Sequence, residues 1–304
     1  MVEAKSPRSD LGKIMIRNYI LYSKDYIKWY FLVLTALVFV VLCFVVIRED
    51  RSGIMTVVFL DVGQGDSIFI ESPTGVQVIV DGGPAKNLMR EISEVLPFYD
   101  RSVDLIVVTN PDKDHYEGFI GFLEKYSVDV VLEPGTSNVS GIYKTLEDEI
   151  KNKNIPKIIA LRGQIIDLGG GAFLEVLFPD RDISGLGAND GSLVMRLVYG
   201  ETSVMFQGDS TVKIEDYLVS LGGNLDSDIL KTGHHGSKTS TGENYIEAVS
   251  PEWAVISAGK GNSYGHPHKE TLETLNKEKV KILGTYELGR IVFKSDGKQF
   301  VFQK

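Results

Sequence analysis

Cysteine is almost missing from this chain. Only Cys43 occurs among 304 residues, so no disulfide framework is available and a folded domain must rest on its core. Positive charge is also short, with 32 Lys and Arg against 41 Asp and Glu. Residues 1–53 hold 8 of those basic and 5 of those acidic side chains, which leaves the remainder with 24 against 36, a net charge of −12. A surface that grips long nucleic acid nonspecifically should be basic, so that class is disfavoured, and a metal-dependent nuclease would need a local basic patch. Short-period repeats and low-complexity tracts are lacking too. What is present, 43% hydrophobic and 24% charged residues, suits one sizeable domain plus an appendage.

The appendage comes first. Tyr30 to Ile47 runs without a charge between Lys28 and Arg48, just enough to cross a hydrocarbon core about 30 Å thick. A buried core helix would show a polar stripe. This run offers only Thr35 and Cys43, while Tyr26, Trp29 and Tyr30 stand where an interfacial aromatic belt belongs. Val45, Val46, Ile47 and Arg48 provide no small-x-small cleavage site, and Leu42 precedes Cys43 where a lipoprotein site needs a small residue, so residues 30–47 read as a transmembrane signal anchor. Lys5, Arg8, Lys13, Arg17, Lys24 and Lys28 outnumber Glu3, Asp10 and Asp25, whereas Arg48-Glu49-Asp50-Arg51 is neutral. The positive-inside rule then keeps a basic tail, residues 1–29, in the cytoplasm and places residues 54–304 outside the cell membrane.

From Ile54 the sequence alternates strand and helix signals. Strands are expected at 54–60, 67–71, 76–80, 105–109, 128–132 and 157–161, with helices at 88–97, 116–126 and 142–151 between them. Gly169-Gly170-Gly171 marks a hairpin, followed by strands at 173–178, 192–198, 203–206, 225–230 and 253–256 and helices at 211–221, 243–249 and 267–276. Strands at 281–284, 290–294 and 299–302 finish the pattern. Two strand-rich runs, each closing with helices, suit an α/β architecture of two sheets packed face to face with helices outside.

Chemistry gathers at strand ends. The stretch Asp104 to Gly118, DLIVVTNPDKDHYEG, breaks at Pro111 and crowds Asp112, Asp114 and His115 into one turn. Carboxylates and imidazole this close call for a cation between them, although the same acidic turn could simply cap the following helix. Gly208-Asp209-Ser210 closes another apolar strand, His234 and His235 follow Lys231 at the end of a third, and His266 and His268 flank Pro267. All five histidines of the chain lie in such turns.

The turn around Asp112 resembles the H-x-H-x-D-H signature of the metallo-β-lactamase fold, with Asp209 resembling its bridging aspartate. FLDVGQGDS at 59–67, VDGG at 80–83, LKTGHHGS at 230–237 and NSYGHPH at 262–268 are more narrowly similar to the soluble domain of the ComEC DNA-uptake proteins. The resemblance covers residues 55–304 and implies an αββα four-layer sandwich carrying a metal-dependent hydrolase, plausibly a nuclease or phosphodiesterase acting on DNA beside an uptake machinery. One span cannot form the transport channel of those proteins.

The resemblance further implies a metal set of Asp114, His115, Asp209 and one of His234 and His235. The family's other site would fall on Asn110, Asp112, Asn189 or Asp190, and Asp209, where Asn110 replaces a histidine. Such a shift from imidazole towards oxygen favours Mn²⁺ or Mg²⁺ over Zn²⁺, with one tight and one weak site. Asp112 is the expected general base if it does not ligate. Lys231 is expected to offset charge on a phosphate unless it is a solvent-facing strand residue. His266, poised near neutrality, would protonate the leaving oxygen, while His268 also fits a plain helix N-terminus. Asp81 is assigned to loop hydrogen bonds without a metal, and Asp61, Gln64 and Asp66 to the floor of the site. Two rival readings stay open: a surface phosphodiester or other ester hydrolase, which the acidic outer domain favours, and a catalytically degenerate binding domain, which Asn110 motivates.

Overall fold

The structure, a computed structural model, describes Met15 and residues 26–43, 53–136 and 140–303. The chain divides into two compact units, Met1–Arg51 and Ser52–Lys304. In the first, α1 (Tyr26–Cys43) is an 18-residue helix long and apolar enough to cross a membrane. Its apolar side chains are exposed, and the Thr35 hydroxyl donates to the Phe31 carbonyl one turn back (2.9 Å), which satisfies it within the helix. This helix begins four residues before the expected span, because the aromatic belt Tyr26 to Tyr30 is itself helical. Residues 44–47 of the span, and all basic residues of the tail except Lys28, lie outside the described residues.

The second unit opens with β1 (Met55–Phe59), β2 (Ile68–Glu71) and β3 (Gln77–Val80), then α2 (Asn87–Val95), β4 (Ser102–Val107), α3 (Lys113–Leu123), β5 (Ser127–Glu133), α4 (Gly141–Asn152) and β6 (Lys157–Ile159). Its second half runs β7 (Ile165–Asp167), β8 (Ala172–Phe178), β9 (Val194–Tyr199), β10 (Thr202–Phe206), α5 (Val212–Ser220), β11 (Ile229–Lys231), α6 (Glu243–Val249), β12 (Trp253–Ile256), α7 (Lys269–Lys277), β13 (Lys281–Gly284), α8 (Thr285–Leu288), β14 (Ile291–Ser295) and β15 (Phe300–Gln303). One sheet has the order β15-β14-β1-β2-β3-β4-β5-β6 and the other β13-β12-β11-β10-β9-β8-β7. The last two strands thus return to the first sheet, β14 pairing antiparallel with β1 and β15 antiparallel with β14, so the two ends of the domain lock each other.

Alternation along the strands separates three cores. In β1, Val57 and Phe59 face the opposing sheet, where they join Ile70, Val80, Val107, Leu174, Met195, Val204 and Phe206, while Val58 faces outwards. The outward face of the first sheet packs on Leu88 and Ile92 of α2, Phe119 and Phe122 of α3, and Leu146 and Ile150 of α4, spaced three and four residues apart. Met205, Leu230 and Ala254 of the second sheet pack likewise on Ile214 and Leu218 of α5, Ile246 and Val249 of α6, and Leu275 of α7. Helix, sheet, sheet and helix form four layers.

Strand direction decides where the chemistry lies. β1, β3 and β4 run one way in the first sheet, and β10, β11 and β12 run together in the second. The turns leaving their C-terminal ends therefore converge at one edge of the sandwich. At the opposite edge the chain enters β1, with the Tyr199 hydroxyl donating to the Gly53 carbonyl (2.6 Å).

Helix α3 begins at Lys113, three residues earlier than expected, with Asp112 at the N-cap position. Asp114 and His115 accordingly occupy its first turn instead of a loop before it. That early start needs a close approach: a Cβ on Gly118 would lie 2.0 Å from the Gly82 carbonyl oxygen, and Gly118 N donates to Gly83 O (2.9 Å). Two elements escaped the sequence pattern. β7 is a three-residue, largely exposed edge strand with only Ile166 against the core, and α8 is a single turn.

Candidate metal centre

Each turn at the shared edge delivers one or two polar side chains. Asp66 comes from the loop after β1, Asp81 from the residue after β3, and Asp114 and His115 from α3. Asp209 follows β10, and His234 and His235 form a short 3-10 turn after β11. Of these, Asp66, Asp81, His115, Asp209 and His235 are buried.

The two buried imidazoles share one design. His115 turns Nδ1 to Asp81 Oδ2 (2.9 Å), and Asp81 is held in place by Thr109 N (2.7 Å) and Thr109 Oγ1 (2.6 Å). His235 turns Nδ1 to the Ser257 carbonyl (3.1 Å) and to Asp66 Oδ1 (3.2 Å). Fixing Nδ1 in this way aims each Nε2 into the centre, as the hydrogen-bond partners of metal-ligating histidines do. There His115 Nε2 lies 3.1 Å from Asp209 Oδ2, and His235 Nε2 lies 3.2 Å from Asp114 Oδ2 and 3.7 Å from Asp209 Oδ1. His115 Nε2, His235 Nε2 and Asp209 Oδ1 are buried with no hydrogen-bond partner.

Three orphaned polar atoms aimed at one point are costly unless something charged satisfies them. Ligands at about 2.1 Å around a tetrahedral ion stand about 3.4 Å apart, a value within the range of spacings found here, 3.1 to 3.7 Å. Asp114, His115 and His235, and likewise Asp66, Asp209 and His235, offer ligand atoms within 4.8 Å of one another. The cluster can hold a divalent cation.

Charge within the cluster is tightly coupled. Burial opposes ionisation of Asp209, yet His115, His235 and Lys231 outweigh it and hold the carboxyl well below its usual range. Burial likewise opposes a charged His115, but Asp209 and Asp81 raise it well above an ordinary imidazole, and Asp209 and Asp66 raise His235 to about 9 against the same burial. The carboxylates thus demand positive charge, from protons or from a cation.

A family model described as the metallo-beta-lactamase superfamily matches residues 60–260. The chain belongs to the metallo-beta-lactamase superfamily. Among curated relatives, ComE operon protein 3 of Bacillus subtilis is 29% identical over 257 residues, covering 77% of this chain and 32% of its own length. Recombination protein 2 of Haemophilus influenzae is 27% identical, covering 83% and 30%, and competence protein ComA of Neisseria gonorrhoeae is 38% identical over 124 residues, covering 40% and 18%. The resemblance to the ComEC proteins read from the motifs therefore stands, and the chain spans about a third or less of the length of these relatives. Among solved structures, CmlA, a diiron beta-hydroxylase from Streptomyces venezuelae, superposes with a TM-score of 0.51 at 14% identity, over 82% of this chain and 54% of its own, a likeness of fold.

Within this metallo-beta-lactamase domain the other family position is rebuilt. Asn110 is engaged at both ends of its amide: Nδ2 donates to Ser192 Oγ (3.0 Å) and Asn189 Oδ1 (3.2 Å), and Oδ1 accepts from Asp112 N (2.9 Å). Asp190 faces α5, accepting from Thr211 Oγ1 (2.6 Å) and Lys213 Nζ (2.9 Å). Asn110, Asn189 and Asp190, three of the residues expected at the oxygen-rich site, thus form hydrogen-bond networks of their own. Asp112 is half-buried, and burial, then the nearby Asp114 and Asp209, raise its carboxyl.

Two further side chains, Lys231 and His266, differ from expectation. Lys231 is neither solvent-facing nor aimed at a substrate. It is 1% exposed, and its ammonium donates to Asp66 Oδ2 and to the Gly208 carbonyl (3.2 Å), because that buried carboxylate needs a counter-charge. Sequence reasoning placed Asp66 on the site floor but missed its pairing with residues 165 and more positions away. His266 is not poised near neutrality: burial, then the charges of His235, His234 and His268, push it down to about 4. Gln64 takes Gly259 N on Oε1 (3.2 Å), so its amide nitrogen faces His266 Nδ1 (3.4 Å) and leaves the ring proton on Nε2. His268 stands at the N-cap position of α7 and accepts Lys238 N on Nδ1 (3.1 Å), the role its alternative reading described.

His234 is the odd member, with Nδ1 beside Thr239 Oγ1 (3.1 Å) and Nε2 3.8 Å from Asp209 Oδ2. It and His235 both adopt left-handed backbone, at φ 47° and 56°, which a side chain disfavours. His234→Gly should therefore be more stable than His234→Ala by about 1 kcal/mol in chemical denaturation, since both lose the imidazole and only one relieves the backbone. An equal or reversed order would contradict the strained turn.

Proposed function

We propose that this chain is a membrane-anchored, metal-dependent hydrolase of phosphodiester bonds, acting on DNA outside the cytoplasmic membrane. The observation that carries the reading is the convergence of His115 Nε2, His235 Nε2 and Asp209 Oδ1, buried and unpartnered, beside Asp114. Those four residues would hold one divalent ion firmly, and a second would bind weakly near Asp112, Asp209 and His234. A cation held there supplies a Lewis acid for the phosphoryl oxygens and makes water acidic enough to ionise near neutrality.

The chain's own groups do the rest. Asp112, half-buried with its carboxyl raised, takes the proton of the attacking water. His266, neutral with its proton on Nε2, donates a hydrogen bond to the leaving oxygen as charge develops on it. Lys231 acts from behind the cluster by holding Asp66, which in turn orients His235. The printed names of the curated relatives support competence and recombination as the setting, with a separate uptake machinery as partner. The net charge of −12 favours the second reading, a hydrolase of small phosphodiesters at the cell surface.

The test uses the full chain in detergent with Mn²⁺, Mg²⁺ or Zn²⁺, assayed on linear DNA beside bis-p-nitrophenyl phosphate, with metal content measured after dialysis. One retained ion per chain, Mn²⁺ as the better activator, DNA cleavage and complete loss in Asp209→Ala are expected. Small-ester turnover alone would support the second reading. Two retained zinc ions with zinc the best activator would overturn the one-tight-site reading, and silence with every metal would overturn the hydrolase.

His266→Ala should slow an unactivated phosphodiester about 100-fold more than bis-p-nitrophenyl phosphate, because nitrophenolate leaves without help. Equal losses would move His266 to a structural role.

For the orientation, protease added to intact spheroplasts should remove the C-terminal domain while the N-terminal tail stays protected. Full protection of the membrane-bound protein would reverse the topology.

A further inference from the structure

Rings line up from the metal centre to the surface. His115 and His235 have centroids 5.4 Å apart at 34°, His235 and His266 6.2 Å at 34°, and Tyr264 and His266 5.7 Å at 24°. The first two rings are buried, His266 is half-buried, and Tyr264 is 65% exposed.

Singly exposed aromatics are ordinary, so exposure alone means little. Two features set Tyr264 apart. Its loop is tied down by one side chain: Asn262 Nδ2 donates to the Gly259 carbonyl (2.9 Å) and the His266 carbonyl (2.6 Å), while Asn262 Oδ1 accepts from Tyr264 N (3.1 Å) and His266 N (3.0 Å). A loop clamped this firmly could have turned its aromatic residue inwards, yet it presents the ring to solvent next to the proposed leaving-group side of the site. The exposed pair Phe98 and Tyr99 differs, because those rings contact each other (5.4 Å, 81°) in the loop before β4, at the far edge of the sheet.

We propose that Tyr264 is a stacking platform for an unpaired nucleobase of the substrate, adjacent to the phosphodiester bound at the metal centre. The inference rests on the phosphodiesterase reading and adds single-stranded nucleic acid as the substrate class. An acidic domain gains little from phosphate attraction, so affinity must come from a contact that does not depend on charge, and base stacking on an aromatic ring is such a contact. Bases in a duplex keep their faces covered by their neighbours, which excludes double-stranded DNA from this contact. Stacking tolerates any base, so no sequence preference is expected.

Binding is measured by fluorescence anisotropy with the full chain in detergent, in Mn²⁺, on an Asp112→Asn background that suppresses cleavage. Labelled oligothymidylate should bind about tenfold more tightly than an abasic strand of equal length. Tyr264→Ala should remove that tenfold difference without weakening the abasic strand, and Tyr264→Trp should keep it. Indifference to the bases, equal loss on both strands, duplex binding as tight as single-strand binding, or no binding at all would overturn the proposal. Turnover of bis-p-nitrophenyl phosphate by the wild-type chain reports the hydrolase reading separately. Turnover without base-dependent binding sinks the platform alone, whereas base-dependent binding without turnover sinks the hydrolase alone.

Discussion

Buried negative charge is the constraint that the histidine- and aspartate-bearing edge of this domain answers to. Asp66, Asp81 and Asp209 are all buried, and each would be driven to its neutral form by the protein interior were nothing positive placed beside it. The compensation is arranged in layers. Lys231 neutralises Asp66 from behind, His115 lies between Asp81 and Asp209, and His235 lies between Asp66 and the pair Asp114 and Asp209. Every turn at that edge brings either a carboxylate or its counterpart, so the packing of two separate sheets is coupled through charge as well as through the apolar core.

Local chemistry was readable in the sequence to the extent that it was local. Asp114, His115, Asp209 and the pair His234 and His235, between which the sequence does not choose, stand in turns broken by proline or glycine at the ends of apolar strands, and strand alternation in stretches such as residues 55–59 separates inner from outer faces. Contacts between distant residues could not be read. Lys231 looked like a charged strand end, and only its pairing with Asp66 gives it a buried role. Asn110 looked like a weakened metal ligand, whereas its partners Asn189 and Ser192 lie about 80 positions away and occupy its amide. The start of α3 was misplaced because Pro111 and the acidic run mimic a loop, and the cradle of Gly82 and Gly83 that admits the helix's first turns shows only in three dimensions.

The position held by histidine in the family signature has been absorbed into a hydrogen-bond bridge. Asn110 Nδ2 donates to Ser192 Oγ, and that same oxygen accepts from Asp209 N (3.2 Å). The bridge ties the turn after β4 to the turn after β10 without an ion. A domain of this fold can therefore keep the relative placement of its two sheets at this edge by neutral hydrogen bonds, leaving Asp209 oriented by its own backbone.

The entry of the chain at the edge opposite these turns has a mechanical consequence. Gly53 leads into β1, which lies inside the sheet, paired along its whole length with β14 on one side and from Thr56 to Phe59 with β2 on the other. A pull transmitted through residues before Gly53 would load those two ladders in shear, a geometry in which many hydrogen bonds resist at once. The turns that carry the candidate metal centre lie beyond the far end of the strand and bear none of that load directly. Tension on the N-terminal side and precision at the site are thereby kept on separate parts of the scaffold.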